Sequence, residues 1–241
     1  MEMGKMNSAE EVKQAMQKIA SPEIAKIMMR FFKTGEGQYG FGDKFIGIKV
    51  PLQREISKKF ELSLNEIQKL LESPIHEHRL VALFILIRNY NKLRDEKSKK
   101  IIFDFYLKNT KYINNWDLID LSAERIMGEY LLEKTAKEKE IIYKFAKSDS
   151  IWERRIAMLT TFQFIKEGKY EDSLKIAEIL LNDKHDLIHK AVGWMLREIG
   201  KRDLKVEEEF LKKHYRKMPR TMLRYAIEKF NPKKREFYMR K

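Results

Sequence analysis

IHKAVGWMLREIG, residues 188–200, places apolar side chains at helical spacing and sets its tryptophan among charged neighbours. The same reading applies to NNWDLID at 114–120 and IWERRIAML at 151–159, which hold the other two of the chain's three tryptophans. Trp116, Trp152 and Trp194 lie 36 and 42 residues apart, about one two-helix repeat each, so the spacing predicts a helical array with aromatic faces along one surface.

Segments 8–19, 22–32, 51–60, 64–71, 76–90, 96–107, 116–132, 136–145, 151–165, 170–180 and 187–199, and those after Asp203, keep an apolar stripe with a period near 3.6. Pro22 and Pro51 stand at helix starts, and Ser63, Ser150 and Asp203 stand where N-caps belong. No segment alternates like a strand. Short connections and helices in pairs of roughly 35 to 45 residues favour an all-α solenoid of HEAT-like repeats over a closed bundle, read as a single domain over 1–241.

Composition agrees with that class. A chain of 241 residues, 43% hydrophobic, can bury a sizeable core as one long domain or two short ones, while 36% charged residues call for a large solvated helical surface. The longest apolar run, residues 80–87, meets Arg88 and is too short to span a bilayer, and no signal-type stretch opens the chain, so a cytoplasmic protein with no membrane partner is expected. The absence of cysteine excludes disulfides, thiolate metal sites and thiol nucleophiles.

The charge is uneven. Over residues 212–241 twelve Lys/Arg stand against Glu228 and Glu236, a local balance of +10 within a formal +14. A polyanion, above all nucleic acid, is the natural partner, with a solubilising tail as the plain alternative. Membrane-surface binding is the weaker reading, because Met218, Met222, Leu223, Tyr225, Ile227 and Phe230 fall at core-facing helical spacing.

TGEGQYGFGDKFIG, residues 34–47, interrupts the helices with five of the chain's ten glycines. It lacks the Gly-Lys-Ser/Thr of a P-loop and a preceding strand. It reads first as a connecting loop packing Tyr39, Phe41 and Phe45, and second as a backbone cradle for a nucleic-acid phosphate. Metal chemistry is poorly supported: His185 and His189, four apart, read as a surface pair, and the His76-Glu77-His78 run reads as a helix start.

WDLID differs in kind. On a helix Trp116 and Asp120 share a face, pairing an aromatic ring with a carboxylate, while Asp117 turns away. The plain alternative is a helix N-terminus capped by Asn114 or Asn115, with Trp116 packed and Asp117 complementing the dipole. Cations accompany the other tryptophans within a turn: Arg155 follows Trp152, and Lys190 and Arg197 flank Trp194. Trp, carboxylate and Lys/Arg on adjacent repeats would both hold phosphates and meet a cationic group with aromatic faces.

Six segments in order, FFKTGEGQYGFGDKFIGIKVPLQREI, HEHRLVALFIL, NNWDLIDLSAERIMGEYL, WERRIAMLTTFQFI, HKAVGWMLREIGKRD and MPRTMLRYAIEKF, resemble the DNA alkylation repair family of HEAT-like-repeat DNA glycosylases, the AlkD-like group. The resemblance implies a right-handed α-solenoid that curves around duplex DNA with a concave basic groove and excises positively charged alkylpurines such as 3-methyladenine and 7-methylguanine. It places a cleft tryptophan at Trp116, the catalytic aspartate at Asp120, the second cleft tryptophan at Trp194 and a DNA-contacting arginine at Arg155. Trp152 is then the core residue that places Arg155. With Lys190, Arg197, Lys49 and Arg54 this completes the expected DNA-binding set, in a monomer that needs no metal and no cofactor.

The chemistry asked of those residues is modest. An N-alkylated purine is already cationic and a good leaving group, so hydrolysis needs mainly a negative charge beside an oxocarbenium-like sugar. Some active members carry two consecutive tryptophans where this chain has Asn115-Trp116, and related branches bind unusual DNA without glycosylase activity. A non-enzymatic binder of branched or distorted DNA is therefore the alternative function, and a protein-interaction scaffold the third.

Overall fold

The computed structural model describes residues 7–240. Among them, helices account for every regular element, apart from one isolated parallel bridge between Lys44 and Ile75. The residues form two compact units, one ending at Ser122 and the other beginning at Ala123.

The first unit contains α1 (Ala9–Gln17), α2 (Pro22–Phe31), α3 (Val50–Lys58), α4 (Leu64–Leu71), α5 (His76–Lys92), α6 (Glu96–Lys108) and, at its end, all but the last residue of α7 (Trp116–Ala123). Helix α5 is its centre, packed against α3, α4 and α6, and every residue from His76 to Ile87 is buried. A helix apolar all round is stable only where neighbours cover all its sides. Where α5 turns polar, it serves its neighbours: the Arg88 guanidinium donates to the carbonyls of Ser57 and Phe60, and Asn89 Nδ2 donates to Leu62 O at 3.2 Å. These side chains satisfy one carbonyl at the end of α3 and two in the link to α4.

The second unit contains a π-helical turn (Glu124–Gly128), α8 (Glu129–Leu131), α9 (Ala136–Ala146), α10 (Ile151–Lys166), α11 (Glu171–Ile179), α12 (Asp186–Gly200), α13 (Leu204–His214), α14 (Arg220–Ala226) and α15 (Pro232–Met239). Helices α10, α12 and α14 pack side by side as one row, with α9 and α11 against α10 and α13 against α12. Such stacking of helix pairs is the solenoid pattern expected from the repeat spacing. The basic segment behaves as its periodicity implied: Met218, Met222, Leu223, Ile227 and Phe230 are buried, and Tyr225 alone of that set is exposed. Lys241, the last of its cations, lies outside the described residues.

Most helix boundaries and the caps Ser63, Ser150 and Asp203 lie where the sequence put them, each cap side chain accepting a backbone N–H of the first turn. The single helix expected over 116–132 is instead divided by the π turn, an inserted residue of the kind that interrupts α-helices. No helix among the described residues is long and apolar enough to cross a membrane.

Gly193 sets a close helix–helix approach in the second unit. A Cβ there would lie 2.4 Å from Met222 O and 2.5 Å from Tyr225 Cβ, so α12 and α14 cross without room for a methyl group. Gly193→Ala is expected to lower stability by about 1–3 kcal/mol through overpacking, read as a drop in urea midpoint with unchanged slope.

Candidate functional site

The glycine-rich loop is pinned to the start of α5. Lys44 N donates to Pro74 O at 3.1 Å and His76 N donates to Lys44 O at 2.8 Å. The buried Glu77 carboxylate accepts backbone N–H groups from Ile46 at 3.1 Å, Gly47 at 2.8 Å and Ile48 at 3.3 Å. Gly47 is required: its φ is +83°, and a Cβ would fall 1.9 Å from Ser21 O. These donors, the kind that cradle phosphates, already hold an internal anion, so this part of the loop fits the connecting reading. Phe45 is buried and Tyr39 half-buried as expected, but Phe41 is 66% exposed, because it sits in a turn, its N–H donating back to Gln38 O at 3.1 Å.

That anchoring carries Asp43 over the first turn of α5, where a buried ion cluster forms. His76 Nδ1 lies 3.0 Å from Asp43 Oδ2 and its Nε2 lies 2.8 Å from Asp117 Oδ2. Arg79 Nη2 donates to Asp43 Oδ1 at 2.6 Å and its Nη1 donates to Ser73 O at 3.2 Å. Burial works against the imidazolium, yet the charge and hydrogen bond of Asp117, with the Asp43 hydrogen bond, outweigh it and raise the His76 pKa to about 9. Burial likewise works against the Asp43 carboxylate, and His76 and Arg79 together hold its pKa below the usual value. Two cations thus face two carboxylates, as buried charge requires. His78, by contrast, is pushed down to about 4 by burial, with Lys13 and Arg79 adding to the effect, and its Nδ1 lies 2.8 Å from Ser73 Oγ.

The cluster positions Trp116. Asn115, fully buried, donates to Asp43 Oδ2 at 3.3 Å and accepts the Trp116 backbone N–H at 2.9 Å. Asp117 follows immediately. Rings complete the support: Phe45 stacks on His76 at 4.7 Å, Phe32 on Phe45 at 5.0 Å and Trp116 on Phe32 at 5.3 Å, with Phe31 edge-on to Trp116 at 5.8 Å. Trp116 stays half-buried. One turn on, half-buried Asp120 lies close enough to the buried Tyr106 that its charge, after burial itself, holds that phenol in its neutral form. Ser122 Oγ donates to Leu118 O at 2.5 Å, so the Tyr106 hydroxyl donates to Ser122, 2.9 Å away.

Of the other expected positions in the first unit, Lys49 is the exposed residue before α3, and exposed Arg54 holds its guanidinium 4.5 Å over the Phe84 ring. In the second unit, α12 carries Lys190, Trp194 and Arg197. Lys190 pairs with Asp186 at 2.6 Å, Arg197 pairs with Glu228, and Trp194 Nε1 donates to Glu198 Oε1 at 3.2 Å. Arg155 on α10 is only 5% exposed and donates to Leu187 O at 2.6 Å, so its guanidinium holds the start of α12. Trp152, expected in the core, is half-buried. His185 and His189 are not a surface pair: His185 caps α12 by accepting Leu187 N at 3.2 Å, and His189 Nε2 lies 2.5 Å from Asp183 O.

Sequence reasoning missed Asp43, His76, Arg79 and Asp117 as a unit. His76 read as a helix start, which it is, and Asp117 as a dipole partner, whereas it is the counter-ion of a residue 41 positions away. The available signal was Asp43, an acidic residue between glycine and Lys44 in a loop rich in glycine and aromatic residues.

The raised His76 pKa fixes a pH window. Its contribution to stability is complete below about 6.5, the unfolded value, and is lost as pH rises through about 9. His76→Gln is expected to be several kcal/mol less stable than the unchanged protein near pH 6.5, with the gap between their melting temperatures narrowing toward pH 9.5. A gap constant across that range would contradict a protonated His76.

A family model described as DNA alkylation repair enzyme matches residues 12–230. A solved structure described as a predicted DNA alkylation repair enzyme from Enterococcus faecalis shares the fold, with a TM-score of 0.68 and 19% identity over 88% of this chain and 97% of the other. The smu.31 structure from Streptococcus mutans UA159 is similar at a TM-score of 0.53 and 16% identity, covering 91% of this chain and 96% of that one. No curated protein matches the chain. With the match spanning nearly all of the sequence and the fold agreeing, the chain belongs to the DNA alkylation repair enzyme family.

Proposed function

We propose that this protein is a DNA glycosylase that removes positively charged alkylpurines, 3-methyladenine and 7-methylguanine, from duplex DNA. Its family assigns it to the repair of alkylated DNA, with DNA as substrate. The observation that carries the finer reading is the half-buried Trp116–Asp120 pair on α7, with Trp116 held from beneath by an ion cluster and a column of stacked rings.

The reaction asks little more. The bond from C1′ to the alkylpurine nitrogen breaks with its electron pair going to the base, which leaves neutral, and the sugar becomes oxocarbenium-like. The Asp120 carboxylate stabilises that cation and orients the water whose oxygen attacks C1′, the proton released from that water passing to the carboxylate or to solvent. A tryptophan face suits the cationic base. Rigid support matters, because electrostatic stabilisation is strongest when the charged group needs no reorganisation at the moment of reaction. For Trp194, Lys190 and Arg197 we propose DNA contact from the surface of α12, and for Lys49 and Arg54 contact from α3. Both α12 cations are already ion-paired, so a phosphate would exchange with a carboxylate there.

One specific observation favours the alternative, a binder of branched or distorted DNA without glycosylase activity. Asn115 is locked into the cluster and gives no second aromatic face beside Trp116.

The two readings part on a release assay with methylated duplex DNA. The unchanged protein is expected to free 7-methylguanine or 3-methyladenine, and Asp120→Asn to lower that rate at least about a hundredfold while binding the duplex equally well. Release no faster than the spontaneous rate, with duplex binding intact, would leave the DNA-structure binder. Undetectable duplex binding at low salt would point to a scaffold.

A further inference from the structure

The C-terminal end of the second unit holds a cavity of about 750 Å³ lined by Tyr215, Arg216, Arg220, Phe237, Tyr238 and Arg240, with Met218 behind them. Its charged lining is arginine only. Arg216 Nε donates to the Tyr215 hydroxyl at 3.1 Å, Arg220 Nη2 to Met239 O at 2.8 Å and Arg240 Nη2 to Glu236 Oε1 at 2.7 Å. A guanidinium has five N–H donors in a planar fork, so each of these side chains is oriented by one bond and keeps others for a ligand. Glu236 partly offsets Arg240, and it lies outside the cavity lining.

The rings supply the second half of the site. Tyr238 is buried and meets Tyr215 at 5.4 Å and Phe237 at 5.2 Å, both near perpendicular, which fixes it as a base for the other two. Burial, with the charges of Glu208 and Glu207 and contact with Tyr215, raises the Tyr238 pKa, so the phenol stays neutral. Phe237 remains 59% exposed at the mouth. An exposed phenylalanine ring beside three guanidiniums is wasteful for a solvated surface and suited to a ligand that has both a flat face and an anion.

We propose that this cavity binds an unpaired, phosphate-bearing nucleotide, its base stacked on Phe237 and its phosphate held by Arg216, Arg220 and Arg240. A phosphate within a regular duplex would need only exposed cations, because paired bases keep their faces hidden in the stack; a concave site with an open ring fits a base free of its partner. The volume lies within the range of small-ligand sites. The site is separate from the Trp116–Asp120 pair and stands or falls without it.

The test uses the full chain and two fluorescein-labelled probes, a twelve-residue single strand of thymidine and a blunt duplex of the same length, read by anisotropy. Phe237→Ala is expected to weaken single-strand binding about tenfold and leave duplex binding within a factor of two. Because Phe237 is exposed, the fold should survive its truncation, which circular dichroism checks; Arg240→Gln at the same cavity should repeat the selective loss. Competition separates the sources of the ligand: displacement of the single strand by adenosine 5′-monophosphate but not by inorganic phosphate supports a site for free nucleotides as well. Displacement by neither, with the Phe237→Ala loss intact, supports one for a nucleotide within a strand. Single-strand affinity unchanged in both variants, an equal loss on both probes, or equal competition by inorganic phosphate would overturn the proposal.

Discussion

A protonated histidine enclosed by two carboxylates is the interaction on which the first unit depends. His76 at the head of α5 ties Asp43 of the glycine-rich loop to Asp117 of α7, and Arg79 balances the second negative charge. Any one of these groups left alone in that interior would be strongly destabilising, whereas the four together are close to neutral. The geometry is demanding, and demand of this kind specifies structure: loop, central helix and tryptophan-bearing helix each have one position in which the charges meet. Glu77 acts alongside on the backbone of the same loop. The proposed reactive face of α7 thus stands on an electrostatic joint as well as on apolar packing.

The helices were legible because their evidence is local. A stripe of period 3.6, a serine or aspartate before it and a proline in its first turn lie within one window of sequence, and Ser63, Ser150 and Asp203 cap as they read. The cluster was illegible because its partners are 33 and 41 positions apart and no periodicity joins them. Arg155 shows the same limit: its place one turn after Trp152 is visible, but its carbonyl partner at Leu187 belongs to another helix, and that contact buries it. The π turn after α7 left no mark, since an inserted residue keeps the apolar pattern on both sides. Trp116 and Asp120 form a pair legible from their spacing alone, whereas the support beneath Trp116 is encoded by no motif.

In the second unit, each cation flanking Trp194 has a carboxylate partner that the spacing does not reveal: Asp186 for Lys190 and Glu228 for Arg197. Such pairs keep long side chains extended and ordered before any ligand arrives. The proposed exchange for phosphate would replace one anion by another, so its electrostatic gain would be smaller than for an unpaired cation, with less ordering entropy lost. Basic surface of this kind favours discrimination over raw attraction.

Helix α5 has a bearing on how the molecule opens. Its residues 76–87 have no exposed face, and the glycine-rich loop is fastened to its first turn through backbone and carboxylate alike. The amide hydrogens of 76–87 are therefore expected to exchange with solvent only when the whole first unit unfolds, and the loop amides of Lys44, Ile46, Gly47 and Ile48, bonded to Pro74 O or Glu77, are expected to share that protection although the loop is irregular and rich in glycine. Slowness of exchange in a segment without secondary structure is the mark of a loop that serves as core.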